Sequence, residues 1–184
     1  MLYLLIGELK MECKFRNELL EKNESFKKIF NELLEKGDIR EYPKELWDII
    51  NTDRTAIKIN GEPLAFKDLF KKELTEGRCM YCVFEFLLLL DKLGIYSEAI
   101  RCTNDYFVNT KGSSYGGHWF LEVHFKTGIE YVDTSLMVIG TFDAFKKIGH
   151  NVIKKYDIDT LFKEYPELID IHEDMIINKH FKLD

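Results

Sequence analysis

The sequence predicts an α+β fold. Three observations carry this: apolar residues recur at helical spacing early in the chain, one central helix is apolar nearly all round, and strict alternation replaces helical spacing after Gly94. In the first stretch Phe15, Leu19, Leu20, Phe26, Ile29, Phe30, Leu33 and Leu34 form one apolar stripe, and Gly37 stops the run. The charge-rich remainder of 14–36 reads as a solvated face over that stripe, with capping of a cleft as the alternative. Pro43 begins a short helix carrying Leu46, Trp47, Ile49 and Ile50. Residues 56–59 followed by Asn60-Gly61 read as a strand and turn, and 64–74 is amphipathic again. Gly77-Arg78-Cys79 then leads into the apolar run 83–90, and Gly94 is placed as its C-cap.

After Gly94 the period changes. Residues 97–108 contain strand-like stretches, and 111–117 is a Gly/Ser-rich break. In 118–125, Trp119, Leu121, Val123 and Phe125 share one face, while His118, Phe120, Glu122 and His124 share the other. Lys126-Thr127-Gly128 is a hairpin turn into a partner strand at 129–132, and short helices are expected beyond Thr141. The length fits a single domain over 1–184, with a helical part at 1–76, the central motifs at 77–135 and C-terminal helices at 136–184.

Composition narrows the function. With 46% hydrophobic and 32% charged residues the chain is an ordinary folded one, and 14 Phe with 9 Tyr point to an aromatic core. A net charge of -6 argues against a nucleic-acid partner held by phosphate neutralisation. Cys13, Cys79, Cys82 and Cys102 are too few for a disulfide scaffold in a chain this long. The first six residues lack a basic leader region, and the unbroken apolar run 86–90 is too short to cross a bilayer. The expectation is a cytoplasmic protein with reduced thiols and no membrane partner.

Cys79, His118 and Asp133 stand out because a thiol, an imidazole and a carboxylate can form a nucleophile, its base and the group that orients the base. Cys79 opens a helix, where the macrodipole and the adjoining Arg78 favour the nucleophilic thiolate. His118 could take and return the proton, and Asp133 could fix its tautomer. Each also has a plain structural reading, as inert core cysteine, polar surface histidine and turn aspartate. With the hairpin centred on Thr127-Gly128, opposed residue numbers sum to about 255. His118 then faces position 137 and Asp133 faces position 122, so a slipped register, a bulge or strand twist is needed to join them. His124, His150, His172 and His180 receive no role.

Gly77-Arg78-Cys79, followed fifteen residues after the cysteine by Leu93-Gly94-Ile95, resembles the nucleophile helix of the transglutaminase-like cysteine protease superfamily. His118-Trp119-Phe120-Leu121-Glu122-Val123 is similar to that family's H-x-W-x-E-V strand with Phe120 for the Trp, and Val132-Asp133-Thr134 is similar to its aspartate strand end. Arylamine N-acetyltransferases share the Cys–His–Asp order, but the Arg-Gly-Gly that precedes their nucleophile is absent here. The resemblance covers roughly 77–135. It implies a papain-like core, with the nucleophile helix packed on an antiparallel sheet and extra helices at both ends. It also implies Cys79 as nucleophile, His118 as base and Asp133 as orienting carboxylate, with no metal or organic cofactor. Where family members carry an aromatic three residues after the cysteine, this chain has Cys82. The papain-like upstream Gln is also missing, since the chain has no Gln; Trp47, Asn51 and Asn60 are alternative oxyanion donors.

The expected activity is acyl transfer through a cysteine thioester, with hydrolysis of a peptide or amide in a peptide or protein substrate first and amine transfer second. Three rivals are a catalytically retired binding protein, a dithiol redox site at Cys79-Met80-Tyr81-Cys82, and a zinc site using Cys79 and Cys82 with His118 or His124. Substrate, acceptor and oligomeric state are left open.

Overall fold

The computed structural model describes residues 13–41, 58–59, 62–63, 79–107 and 117–166. The early apolar stripe is carried by two helices, α1 (Lys14–Lys22) and α2 (Glu24–Lys36). They part at Asn23, whose backbone is extended and whose Oδ1 accepts the Phe26 N–H at 3.0 Å, a side-chain cap that starts the second helix. Periodicity cannot show this break, because one extended residue barely disturbs the apolar spacing. β1 (Ile39–Glu41) follows Gly37, and a small hairpin pairs β2 (Lys58–Ile59) with β3 (Glu62–Pro63), as the strand-and-turn reading expects. The helices expected at 43–50 and 64–74 lie outside the described residues.

The apolar run forms α3 (Cys79–Lys92). Gly94 ends it with φ 69, a left-handed conformation that costs glycine nothing; its N–H bonds Asp91 O at 2.8 Å and the Ile95 N–H bonds Leu90 O at 2.8 Å. These two bonds are a Schellman motif and satisfy carbonyls the helix end would otherwise orphan. Then come β4 (Ser97–Asn104), β5 (His118–Phe125), β6 (Gly128–Asp133), β7 (Val138–Gly140), α4 (Phe142–Lys147), β8 (His150–Tyr156) and α5 (Ile158–Glu164).

The fold is α+β, built on a six-stranded antiparallel sheet in the order β1-β7-β6-β5-β4-β8. One face meets α3 and α5 through Ala99, Trp119, Leu121, Val123 and Val132; the other meets α2 and α4 through Ile100, Phe120 and Val138. Both alternating sets of β5 are therefore buried, and the face pattern expected for that strand holds. Strands β7 and β8 occupy residues where the sequence predicts only helices. β7 has three residues, and β8 is an edge strand with five consecutive exposed residues, so neither carries an apolar alternation to read.

Glu98 and Glu122 face each other across β4 and β5, a like-charge pairing that needs compensation. Lys155 reaches over from β8 to bond Glu122, with Glu98 at 3.9 Å, while Tyr131 Oη donates to Glu122 at 2.7 Å and His124 Nε2 lies 3.0 Å away. The Glu122 side chain is only 6% exposed, so removing its cation leaves a buried carboxylate poorly paired. Lys155→Met is expected to destabilise the fold by about 1–3 kcal/mol. Adding Glu122→Gln should recover most of that loss, as urea unfolding of the single and double variants will measure.

Candidate active site

β6 ends at Asp133, and the chain turns back through 134–137 into β7. Asp133 Oδ1 closes this turn by accepting the N–H groups of Ser135 at 2.8 Å and Leu136 at 2.9 Å. α1 pins the turn from outside, with Cys13 Sγ donating to Ser135 O at 3.0 Å and Arg16 Nη1 donating to Leu136 O at 3.4 Å. The plain reading of Asp133 as a turn residue is thus true of one oxygen. The other, Oδ2, lies 2.8 Å from His118 Nε2 and 2.7 Å from His150 Nε2.

A register slipped from the one the sequence suggests joins His118 to Asp133, with no bulge in this hairpin. In the β5–β6 hairpin Leu121 pairs with Val132 and Phe125 with Gly128, so opposed numbers sum to 253 rather than 255. One further step places Asp133 opposite Phe120, two residues from His118 on the same face. Such diagonal neighbours lie roughly 7–8 Å apart at Cα, within reach of an imidazole and a carboxylate. The turn centres on Lys126-Thr127, one residue earlier than the sequence suggests, and that shift closes the gap.

Cys79 is the first residue of α3 and is half-buried. His118 Nε2 is engaged by Asp133, and Cys79 acts on the same ring as a hydrogen-bond and charge partner. Burial disfavours a charged His118, yet the Asp133 charge and hydrogen bond, helped by Cys79, outweigh it and push its pKa up to about 10. Burial likewise opposes an ionised Asp133, but the charge of His118 and the bonds from both imidazoles hold its carboxyl well below the usual range. His150 moves the other way: burial, reinforced by the His118 charge, keeps it below its ordinary value despite Asp133. One carboxylate thus carries one charged ring and one neutral ring.

The remaining described thiols differ from Cys79. Cys13 and Cys102 are buried, and desolvation, with Asp133 nearby, pushes both thiols up, Cys102 the further. Cys82 lies one turn along α3, with its side chain outside the described residues, as are Arg78, Trp47, Asn51 and Asn60. His118, Asp133 and His150 also have the donor types of a metal site. Their Nε2–Oδ2 distances of 2.8 and 2.7 Å are those of hydrogen bonds. Ligand atoms around a tetrahedral zinc stand roughly 3.3 Å apart, and side chains 4%, 0% and 0% exposed leave no open position. His124 sits about 20 Å along β5 from His118, bound to Glu122, and so cannot join Cys79 in the zinc set weighed above.

His150 is the residue that sequence reasoning misses. It opens an edge strand without alternation and follows Gly149, and neither feature marks it as buried against an acid.

The His118 shift makes stability pH-dependent. A pKa raised from 6.5 to about 10 contributes stability that is fully present below pH 6.5 and lost as pH rises through about 10. The melting temperature is expected to fall across that window, and the fall should flatten in His118→Gln, measured by circular dichroism at fixed ionic strength. No family model, curated protein or solved structure matches the chain.

Proposed function

We propose that the chain is a cysteine-dependent acyl-transfer enzyme with a transglutaminase-like, papain-like core. In this reading Cys79 is the nucleophile, His118 the acid–base and Asp133 the carboxylate that orients the ring. The observation that carries it is His118 held by buried Asp133 at 2.8 Å, with Cys79, the first residue of α3, among the groups that raise its affinity for a proton. Support also comes from a cysteine-led helix packed against an antiparallel sheet whose adjacent strands bear the imidazole and the acid. Of the cysteines with described side chains, Cys79 alone is not buried.

The step balances without a cofactor. The Cys79 sulfur attacks an amide carbonyl as thiolate and forms a C–S bond, with negative charge moving to the carbonyl oxygen. The backbone N–H of Cys79, at the positive end of α3, can supply one donor to that charge. Collapse breaks the C–N bond as His118 gives its proton to the departing amine. Water then attacks the thioester, His118 takes a proton from it, and the C–S bond breaks to release carboxylic acid and regenerate the thiolate beside protonated His118. Hydrolysis of a peptide or amide bond is the first assignment, since water is the one acceptor it requires.

The test uses an electrophilic acyl probe at pH 6.5, with peptide mapping of the labelled protein. Labelling should map to Cys79, vanish in Cys79→Ala, survive in Cys82→Ala and slow by about a hundredfold or more in His118→Ala. Loss of labelling in Cys82→Ala with retention in Cys79→Ala overturns the assignment.

A further inference from the structure

His150 has no part in the chemistry described above, yet it is fully enclosed and touches the central acid. Its ring sits among Phe107, Phe120 and Phe145, with centroid separations of 6.0, 4.9 and 5.0 Å, and its side chain is 0% exposed. A polar ring is costly in such surroundings unless its nitrogens are satisfied. Nε2 is satisfied by Asp133 Oδ2 at 2.7 Å.

The other nitrogen fixes the tautomer. Asn104 Oδ1 accepts the Tyr106 N–H at 2.9 Å, so the Asn104 amide can turn only its Nδ2 toward Ile148 O, at 3.0 Å, and His150 Nδ1, at 3.2 Å. Nδ1 therefore accepts, and the ring proton stands on Nε2. Phe145 O also lies 3.2 Å from Nδ1 and would suit a proton there. That tautomer would aim the Nε2 lone pair at a carboxylate, which is repulsive, and a doubly protonated ring is opposed by burial and by charged His118, whose centroid is 5.3 Å away. Gly149 helps to place the ring: at φ 92, an added Cβ would stand 2.8 Å from Tyr106 Cδ2 and 3.1 Å from Asn104 Oδ1.

We propose that His150 is a positioning residue: a neutral second imidazole whose Nε2–H holds Asp133 Oδ2 and takes a share of its charge, setting how tightly His118 keeps its proton. This rests on the acyl-transfer reading of Cys79, His118 and Asp133. The physical reason is competition for one oxygen. With Asp133 ionised, a second donor on Oδ2 takes part of its charge and weakens its pull on the His118 proton. A base held too tightly returns its proton poorly to a leaving amine, so the second ring moves His118 toward a usable range. The titratable and charged groups around this centre are Cys79 on α3, Cys102 on β4, Cys13 before α1 and Arg16 on it, with His118 and Asp133 on β5 and β6.

The test is the pH profile of Cys79 alkylation by iodoacetamide in the full chain, with Cys79 followed by peptide mapping. Wild type should show a plateau at pH 6–7 and a second, alkaline step where His118 loses its proton. In His150→Phe that step should move to higher pH by about half a unit or more. His150→Gln, which keeps an N–H near the Nε2 position, should restore it to near the wild-type midpoint. A wild-type profile without the plateau overturns the acyl-transfer reading and this proposal together. A wild-type plateau with the alkaline step unmoved or lowered in folded His150→Phe, or with His150→Gln matching the Phe variant, overturns this proposal alone. If His150→Phe does not fold, nitrogen-15 NMR of wild-type histidines decides: a neutral His150 protonated on Nε2 from pH 5 to 9 supports it, and a Nδ1–H or doubly protonated ring refutes it.

Discussion

A carboxylate with no exposed surface stays ionised only where donors enclose it, and Asp133 is enclosed from two directions. Backbone N–H groups of the following turn take one oxygen, and imidazoles from β5 and β8 approach the other. The turn sets the path from β6 to β7, and β1 pairs with β7, so the order of one half of the sheet depends on the same side chain that orients His118. Structural and chemical roles coincide at this acid. An amide in its place would alter the turn and the imidazole at once, and a loss of activity there would not by itself separate the two.

The electrostatics of the centre follow from that enclosure. Two imidazoles on one oxygen cannot both carry charge in a low-dielectric site, since the second cation would face the first without solvent between them. His118 has the thiol of Cys79 on hand and keeps the proton; His150 has an amide and three phenyl rings and stays neutral. What surrounds each ring, rather than the ring itself, separates their behaviour. The same logic sorts the thiols. Cys13 and Cys102 lie near the same acid, and burial keeps them protonated, at Cys13 despite the neighbouring Arg16.

Much of the frame was legible in the chain. The alternation of β5, the Lys126-Thr127-Gly128 turn and the Gly94 stop are local signals, and each corresponds to local hydrogen bonding. The three candidate side chains were legible as residue types in a suggestive order. Their convergence was not, because a small error in the hairpin register moves every opposed pair. β8 and His150 were hidden for a different reason. An edge strand with a mostly exposed burial pattern has no periodicity to detect, and the burial of its first residue is created by β4, β5 and α4. The division of the first helical stretch at Asn23 was invisible for lack of any change in apolar spacing.

The position of β8 has one more consequence. It is the margin of the sheet, paired with β4 on one side among the described strands, whereas β5 and β6 are interior. Margins open more readily than interiors. An opening of β8 would take the companion ring away from His118 and Asp133, which sit on interior strands. Local breathing at the rim would therefore be felt at the centre as a fluctuating basicity, and the proton inventory of the acid would carry a record of how often the outermost strand lets go.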